Sequence, residues 1–438
     1  MTDASVELWG RQIGAVSWYD DRGIAAFQYT ADFAQSNIQV SPVMMTLREA
    51  PYEFPSLSRD TFKGLPGMLA DCLPDKFGNA LIDVWLAQQN RTAKSFNPVE
   101  RLCYAGTRAM GALEFKPTLR EVATDSRHSL DVAELTSLAN DILHERAALQ
   151  GSLFSVSNMP DDSSALEDIL RVGTSAGGAR AKAVLAWNEK TGEFRSGQIT
   201  SDPEFTHWLL KFDGVSNNRD KELADPLGYG RIEYAYSLMA KEAGISMMPC
   251  RLYEESGRAH FMTKRFDRFD DGSKLHYQSL GALQHYDFNL PGAHSYEQVS
   301  RVIRELGLGT GDLEQQIRRT YFNIIARNQD DHVKNIGFVM NKQGDWRLSP
   351  AFDLTYSFNP EGDWTSQHQM SLNGKRDGFE TEDLIDYAKH AGVKRVRAKK
   401  ILQQVNEAVS SWSSFAHLAD VNQAQEQAIF NSFRLALS

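Results

Sequence analysis

Three polar side chains in the last third of the chain have types and a spacing that suit phosphoryl transfer. Asp330 and Asn335 are five residues apart in the stretch NQDDHVKN, and Asp353 follows eighteen residues later in LSPAFDL. In transfer from ATP, one carboxylate orients and deprotonates the attacking hydroxyl group, while an amide and another carboxylate hold Mg²⁺ against the phosphates. The pattern therefore predicts Asp330 as the catalytic base and the other two residues as magnesium ligands.

The Asp-x₄-Asn spacing is weak on its own, and two other interpretations remain open. Asp330 and Asn335 could satisfy loose backbone donors in a turn that ends a helix. Alternatively, Asp330, Asp331 and His332 could be metal ligands of a hydrolase, although no second histidine cluster lies at a useful spacing. The apolar neighbours of Asp353 favour a paired or metal-bound carboxylate, because an isolated charge is costly in such surroundings.

A glycine-rich stretch, GTSAGGARAK, supplies groups that suit the binding of phosphates. Gly177 and Gly178 would let backbone N–H groups approach an anion closely. Ser175, Arg180 and Lys182 add a hydroxyl group and two cations. The stretch matches neither GxxxxGK[ST] nor GxGxxG, so an ordinary glycine turn between strands is the competing interpretation.

A lysine at the end of an apolar run could complete such a site. Lys211 ends the run HWLLK, where its side chain either extends to solvent or points into a cleft. In the second case it would bind phosphates and pair with a helix glutamate. Glu233 is the expected partner, whereas Glu242 lies near the predicted end of the same helix, which favours exposure.

The periodicity of apolar residues predicts a strand-rich part followed by a helix-rich part. Short strands and one helix in the first ~115 residues indicate a small mixed α/β module. The strands are predicted over residues 6–8, 13–18 and 25–29, and the helix over residues 77–89. Further on, helices are predicted over residues 125–150 and 229–244 and strands over 208–212 and 260–266. Beyond about residue 275 the predicted helices span residues 296–306, 312–327, 381–391 and 393–412. This order predicts two lobes with a ligand cleft between them.

Composition excludes several classes of protein. The net charge of −10 over 438 residues argues against a dedicated non-specific DNA binder, which would be basic. Cys72, Cys103 and Cys250 are far apart and form no CxxC pair, so neither a disulfide framework nor a thiolate zinc site is predicted. The sequence shows no signal-peptide core and no apolar run near the roughly 20 residues that span a bilayer. We therefore expect a cytoplasmic protein without a membrane partner.

Taken in order, these features resemble the HipA-like serine/threonine kinases, the toxins of bacterial type II toxin–antitoxin modules. The matching segments are GTSAGGARAKAVL, WLLKF, EYAYSLMAKEAGI, TKRFDR, NQDDHVKN and LSPAFDL, with VELWGRQIGAV and GALEF nearer the N-terminus. The resemblance implies an α+β, bilobal protein-kinase-like fold with an added N-terminal α/β subdomain. It implies an N-terminal subdomain over residues 1–118, a strand-rich lobe with the glycine-rich loop and hinge over 119–270, and a helical lobe over 271–438.

The resemblance also implies roles for further residues around ATP and Mg²⁺. The hinge, made of Lys264, Arg265 and Phe266, would hold adenine through its backbone, with Phe266 near the ring. His332 would lie near the nucleotide, and Lys211 would bind the ATP phosphates. The chain departs from the best-studied members in three places. Lys264 stands where Glu is frequent, Asp331 replaces a Gly after the catalytic Asp, and the glycine-rich loop carries one extra Gly. These departures put the identity of the protein substrate in doubt more than they do the phosphoryl-transfer chemistry.

The implied biology is that of a regulated toxin. Ser175 aligns with an autophosphorylated serine whose modification switches the kinase off, and Thr174 is the adjacent alternative. The implied partners are a helix-turn-helix antitoxin of the HipB type, which would make any DNA contact indirect, and a protein substrate such as an aminoacyl-tRNA synthetase. Two rival functions remain open: a kinase of a small molecule or lipid, and a largely inactive antitoxin-binding co-repressor. Two interpretations remain open for a basic run near the C-terminus. It is a solvated helix face, or it contacts the phosphate backbone of DNA or the antitoxin. The run consists of Lys389, Lys394, Arg395, Arg397, Lys399 and Lys400.

Overall fold

The computed structural model describes residues 2–88, 91–117, 139, 173, 180–197, 203–214 and 227–437. Its first sheet is antiparallel, with the strand order β3-β2-β1-β4. The strands are β1 (Thr2–Leu8), β2 (Arg11–Tyr19), β3 (Ile24–Tyr29) and β4 (Leu113–Pro117). Ala4, Val6 and Leu8 of β1 are buried while their neighbours are more exposed, as expected for a strand with one face on a core. The three strands predicted in this part are confirmed.

Short helices cover this sheet and lead towards the rest of the chain. They are α1 (Ala31–Ala34), α2 (Arg59–Phe62), α3 (Gly67–Ala70), α4 (Lys76–Gln88) and α5 (Pro98–Ala105), with a 3₁₀ turn at Ala93–Ser95. Asn97 and Glu100 form a capping box at the start of α5, in which each side chain accepts from the other residue's backbone N–H. The helix predicted over residues 77–89 is α4, whose Phe77 and Leu81 pack in the core of the second sheet.

The second sheet is five-stranded and antiparallel, with the order β6-β5-β7-β9-β8. Its strands are β5 (Lys182–Trp187), β6 (Phe194–Ser196), β7 (Thr206–Lys211), β8 (Cys250–Glu255) and β9 (Arg258–Lys264). Helix α6 (Tyr229–Glu242) packs against β9, and all three elements predicted here are confirmed within about two residues. Lys182 and Lys211 are directly opposite in the β5–β7 register, so their side chains leave the same face of the sheet. The helix predicted over residues 125–150 lies outside the described residues, apart from Ala139.

The remainder of the chain is mainly helical, with a small sheet of order β10-β11-β12. Its strands are β10 (His276–Ser279), β11 (Gly337–Met340) and β12 (Trp346–Leu348). The helices are α7 (Leu280–Gln284), α8 (Tyr296–Glu305), α9 (Thr310–Ile325), α10 (Thr381–His390), α11 (Arg395–Ser410), α12 (Trp412–Leu418) and α13 (Gln423–Ser432). The four predicted helices are confirmed, but the one predicted over residues 393–412 ends at Ser410 and a new helix starts at Trp412. None of the helices described is both long and apolar enough to cross a membrane.

Buried polar contacts attach the N-terminal part to both sides of the cleft. Asp267, which follows β9, is fully buried and accepts from the backbone N–H of Gly111 at 2.7 Å. Asp71 accepts from the backbone N–H of Ser279, the last residue of β10, at 2.6 Å. The architecture is α+β, with a strand-rich lobe, a helical lobe and an added N-terminal part. The domain boundaries at residues 118 and 270 stay a prediction, and Phe77 of the first part packs in the core of the second sheet.

Candidate active site

The loop that carries Asp330 and Asn335 connects α9 to β11. Arg327 has a φ of 56°, so the chain turns sharply just after the helix ends at Ile325. The loop then runs beside the segment that follows Asp353, because the backbone N–H of Gln329 donates to the carbonyl of Ser357 at 3.2 Å. The backbone N–H of Ser357 donates in turn to the carbonyl of Arg327 at 3.1 Å. This pairing brings the two predicted motifs together.

Asp330 is half-buried in this loop and carries two nearby polar contacts. Its Oδ1 atom accepts a hydrogen bond from the indole N–H of Trp364 at 2.8 Å, and Nε2 of His332 lies 3.8 Å from the same atom. Desolvation raises the pKa of Asp330, and repulsion from the nearby carboxylates of Asp353 and Asp331 adds to the rise, while His332 and Trp364 oppose it. A carboxyl group with a raised pKa beside a cleft suits a general base.

Asn335 ends a 3₁₀ turn at Val333–Asn335 in the same loop. Its amide nitrogen donates to the backbone carbonyl of Asp330 at 2.8 Å. The turn interpretation of the motif expects side chains that accept from backbone N–H groups, whereas this bond is donated to a backbone carbonyl. It also fixes the amide, so that the side-chain oxygen is the atom left to accept from a donor or to bind a cation.

Lys211, at the end of β7, is buried between α6 and the segment that carries Asp353. Its Nζ atom is 2.6 Å from Oε1 of Glu233 and also contacts Oδ1 of Asp353. Burial alone would lower the pKa of Lys211, but these two carboxylates raise it above its ordinary value. Glu233 is the partner predicted from the sequence, and Glu242 is exposed, as expected. The strand lysine, the helix glutamate and the distant aspartate therefore form one ionic group, in which Lys211 and Glu233 are buried and Asp353 is partly exposed.

Asp353 links this group to the loop that carries Asp330. Burial would raise its pKa, but the charges of Lys211 and Lys182 hold the pKa below its ordinary value, with a smaller effect of His332. Its φ of 52° lies in the left-handed region, which Asp tolerates better than most residues. The backbone carbonyl of Asp353 accepts from the side chain of Asn328 at 3.4 Å, so the backbone at this position is bonded to the loop.

The cations of the glycine-rich stretch that the structure describes also lie at the cleft. Arg180 stacks on the ring of Tyr229 and lies 3.8 Å from the second carboxylate oxygen of Glu233. Lys182 is 2% exposed, and its Nζ atom is 3.3 Å from Oδ2 of Asp75. The sequence did not single out Asp75, because an aspartate just before a helix is typical of a cap, and it does accept from the N–H of Gly78 at 2.6 Å. The predicted residues Thr174, Ser175, Gly177 and Gly178 lie outside the described residues.

The three hinge residues lie at the end of β9 and differ in what their side chains contact. The guanidinium of Arg265 is buried and donates to both oxygens of Asp267, at 2.8 and 2.6 Å, so this side chain is held away from any ligand. Lys264 is half-buried and pairs with exposed Asp270 at 3.0 Å. The ring of Phe266 lies 5.8 Å from that of Phe352, the neighbour of Asp353. Phe266 is thus the hinge residue whose side chain borders the site.

Asp331 does not belong to the set of groups that face the cleft. It is 3% exposed, and its carboxylate accepts hydrogen bonds from Tyr296, His368 and the backbone N–H of Gln369, at 2.5, 2.7 and 2.7 Å. The hydrolase interpretation needs this carboxylate to share a metal ion with Asp330, and it is fully engaged elsewhere. Across the parts of the chain that the structure describes, no three His, Cys, Asp or Glu side chains are arranged to hold a metal ion.

Comparison with known proteins agrees with this geometry. Residues 174–412 match the model of the HipA-like C-terminal domain, and residues 4–116 match that of the HipA N-terminal domain. The chain belongs to the HipA-like family. "Putative kinase Y4dM" of Sinorhizobium fredii is 27% identical over 246 residues, 53% of this chain and 58% of the relative. "Putative kinase Y4mE" of the same organism is 24% identical over 193 residues, 39% of this chain and 44% of the relative. The chain thus spans about half the length of these curated relatives.

Among solved structures, the chain is similar to HipA in a complex from Shewanella oneidensis MR-1. That complex is described as a toxin–antitoxin system of HipA, HipB and its operator DNA. The TM-score is 0.67 at 16% identity, over 98% of this chain and 94% of that one. At this identity the similarity establishes the fold alone. The α+β, kinase-like architecture with an added N-terminal subdomain, predicted from the sequence, is confirmed.

Proposed function

We propose that this chain is an ATP-dependent protein serine/threonine kinase of the HipA type. The observation that carries the proposal is the contact of buried Lys211 with both Glu233 and the partly exposed Asp353, close to the loop of Asp330 and Asn335. These are the residue types that phosphoryl transfer from ATP requires. Membership of the HipA-like family and the kinase names of the two relatives support the same assignment.

The nucleotide phosphates bind on the side of the cleft that carries the lysines. Lys211 supplies a buried ammonium group that is already ion-paired, and the charges of Lys182 and Arg180 add to the positive potential there. Phosphate oxygens would take over part of the charge neutralisation that Asp353 now provides to Lys211. The exchange of one anion for another keeps the buried lysine paired throughout, which avoids the cost of an isolated charge.

The donor set fits a magnesium ion. The amide nitrogen of Asn335 donates to the carbonyl of Asp330, so its amide oxygen is available to bind a cation. Asp353 adds carboxylate oxygens. Two such hard oxygen ligands, with water and substrate phosphates, are what Mg²⁺ takes in nucleotide sites. When bound, the ion neutralises charge that develops on the transferring phosphoryl group. The residues of this chain contribute the fixed oxygens and the nearby cation.

Asp330 acts on the hydroxyl group of the protein substrate. The hydroxyl oxygen forms a bond to the γ-phosphorus, the bond from that phosphorus to the bridging oxygen of ADP breaks, and the hydroxyl proton passes to the Asp330 carboxylate. Trp364 donates to Oδ1 of Asp330 and so leaves Oδ2 as the oxygen free to accept the proton. Most of the rate enhancement then comes from positioning and electrostatics.

Autophosphorylation of Ser175 is part of the proposal, with Thr174 as the alternative site. A phosphate there would add about −1.5 to −2 charges next to the phosphates of ATP. Repulsion between these charges would lower the affinity for ATP. We therefore expect Ser175→Ala to keep the enzyme active for longer, measured as ADP formed over an extended incubation. Unchanged kinetics together with no phosphate on Ser175 by mass spectrometry would contradict this part.

Partners follow from the family and are proposed only. The solved neighbour is a HipA with HipB and operator DNA, so we propose an antitoxin of the HipB type here, with DNA contacted through it. An aminoacyl-tRNA synthetase is the proposed kind of protein substrate. The basic run gives little support to direct DNA binding, because two of its arginines form ion pairs within the chain. Arg395 pairs with Glu382, and Arg397 pairs with Glu314 at 2.6 Å.

The test is transfer of label from radioactive ATP by the purified full-length chain. We expect Mg²⁺-dependent labelling of protein, and a loss of about 10²- to 10⁴-fold in Asp330→Asn, the range for removal of a general base. Asp363→Asn is the matched control, because Asp363 is exposed and adjacent to Trp364. Equal activity of the wild type and Asp330→Asn would end the proposal. Label found on a lipid or small metabolite instead of protein would favour the rival kinase, and no transfer at all would favour the co-repressor.

A further inference from the structure

The aspartate next to the candidate base is held by three donors from two separate segments of the chain. Asp331 accepts from Tyr296 at the start of α8, from His368 and from the backbone N–H of Gln369. Tyr296 and His368 are fully buried. Because Asp330 and Asp331 are consecutive, whatever holds the side chain of Asp331 also fixes the backbone from which the Asp330 carboxylate extends.

The hydrogen bonds around His368 specify where its proton lies. Its Nδ1 atom is 2.7 Å from Oδ2 of Asp331, and its Nε2 atom is 2.9 Å from a terminal nitrogen of Arg434. Arginine has only donors, so Nε2 must accept and the ring proton must be on Nδ1, where it is donated to Asp331. Donation therefore runs in one direction, from Arg434 through His368 to Asp331.

Arg434 follows α13 and contacts the end of the helix that precedes the catalytic loop. Its backbone N–H donates to the carbonyl of Ile325 at 3.0 Å, and its guanidinium donates to the carbonyl of Ile324 at 3.1 Å. It also pairs with Asp377. Only 10% of its side chain is exposed. One side chain thus joins the end of α9, the His368 ring and, through that ring, the residue beside Asp330.

We propose that Arg434 is a positioning residue for Asp330 and acts through His368 and Asp331. The inference rests on the proposed function, since it concerns the geometry of the same base. The nucleotide site on the lysine side of the cleft has none of these contacts, so loss of Arg434 affects the chemical step and spares nucleotide binding. A shift of about 1 Å in a reacting group can cost on the order of 10²-fold in rate, so a smaller shift of the loop is measurable.

The experiment compares kcat and KM for MgATP in full-length variants, by release of ADP. Arg434→Gln is expected to lower kcat about tenfold with KM within about twofold of wild type, and Arg434→Lys, which keeps a cationic donor, should recover most of the loss. Arg318→Gln is the matched control. Arg318 donates to the carbonyl of Ala243 at the end of α6 at 2.5 Å, so it caps a helix without contacting the catalytic loop. A general loss of stability would affect both arginine variants alike.

A double-variant cycle tests the route through the ring. In His368→Asn the amide N–H can take the place of Nδ1 and donate to Asp331, but the shorter side chain has no acceptor at the position of Nε2, which accepts from Arg434. We therefore expect Arg434→Gln to have no further effect in the His368→Asn background, because the two side chains act as a unit. The inference would be overturned if the two substitutions lowered kcat by independent factors that multiply in the double variant, or if Arg434→Gln had the kcat of wild type. Either result would leave the proposed function standing. Equal turnover by the wild type and Asp330→Asn would instead remove the proposed function, and this inference with it.

Discussion

The two sides of the cleft are built from opposite kinds of interaction. One side, here the lysine face, consists of Lys182 and Lys211, whose charges are neutralised by carboxylates drawn from other parts of the chain. The other side, the aspartate face, presents Asp330 and is held from within by its buried neighbour Asp331. Both carboxylates accept hydrogen bonds from uncharged donors, the indole of Trp364 for Asp330 and the hydroxyl of Tyr296 for Asp331. The lysine face is ionic and the aspartate face is a hydrogen-bond network.

This difference separates the tasks of the two faces. A buried ion pair is stable only while each charge has a partner, so a phosphate can replace a carboxylate without leaving the lysine unpaired. A network of neutral donors has no such exchange available, and it fixes the geometry before the substrate arrives. We conclude that the lysine face is suited to binding and releasing anions, whereas the aspartate face holds its base in place.

The sharpest test of this comparison is removal of the central lysine. Lys211→Met takes away the proposed phosphate ligand and removes the cation that directly contacts both Glu233 and Asp353. We expect kcat/KM for MgATP to fall about 10²- to 10³-fold, as when one electrostatic contact to a transition state is removed. Lys116→Met is the control, because Lys116 is also a strand lysine paired with a carboxylate, that of Glu7 at 2.8 Å, but it lies in β4 of the first sheet. Similar losses in both variants would refute a special role for Lys211.

Removal of the glutamate partner should have a smaller effect on the same face. Glu233→Gln keeps the shape but weakens a charged hydrogen bond to Lys211, worth about 1.5–3 kcal/mol. We expect kcat/KM to fall about 10- to 100-fold, measured with MgATP as the varied substrate. Glu242→Gln, at the exposed end of the same helix, should be indistinguishable from wild type. A normal Glu233→Gln enzyme would show that Asp353 alone orients the lysine.

The sequence predicts the lysine face better than the aspartate face, and the reason is the range of the contacts. Lys211 and Glu233 are 22 residues apart, and each belongs to an element whose periodicity is clear in the sequence. The sequence shows an apolar strand that ends in lysine, followed by an amphipathic helix with a glutamate on its inner side. This order leaves few candidates for the partner of Lys211. The fold was predictable for the same reason, since strands and helices leave periodic patterns of apolar residues.

The contacts that the sequence does not indicate join segments without such patterns. Asp75 reaches Lys182 across 107 positions of the chain, and Trp364 reaches Asp330 from an irregular segment. Locally, Asp75 resembles a helix cap and Asp331 resembles a second acidic ligand. Which side chain turns inward is decided by packing between distant elements, and this information is absent from local sequence. Arg265 illustrates the same limit, because its position in the hinge does not reveal the buried contact with Asp267.

On the aspartate face, we expect a modest effect when the donor to the base is removed. Trp364→Phe keeps an aromatic ring but loses the hydrogen bond to Asp330, worth about 0.5–1.5 kcal/mol. We expect kcat to fall about 3- to 10-fold while the affinity for MgATP, measured by calorimetry, stays the same. Trp346→Phe is the matched control, because its indole donates to the carbonyl of Gln39, away from the site. A gain in kcat would instead identify Trp364 as an obstruction over the base.

The smallest effect on turnover is expected at the edge of the lysine face, where a pH dependence of stability should appear. Burial raises the pKa of Asp75 from its ordinary 3.8 to about 6, even though Lys182 and the N–H of Gly78 oppose the rise. The folded protein therefore binds this proton more tightly than the unfolded chain. The stability that this provides is complete below about pH 4 and is lost as the pH rises through 6.

The Asp75→Asn variant has no titratable group at this position. Its free energy of unfolding should therefore increase relative to that of the wild type as the pH rises. Between pH 4.5 and 7.5 the change should be on the order of 2 kcal/mol, from about 1.4 kcal/mol per unit of pKa. Urea unfolding at several pH values measures it, with kcat expected within about twofold of wild type. A difference between the two proteins that stays constant with pH would show that Asp75 is ionised throughout, and that the ion pair with Lys182 outweighs its burial.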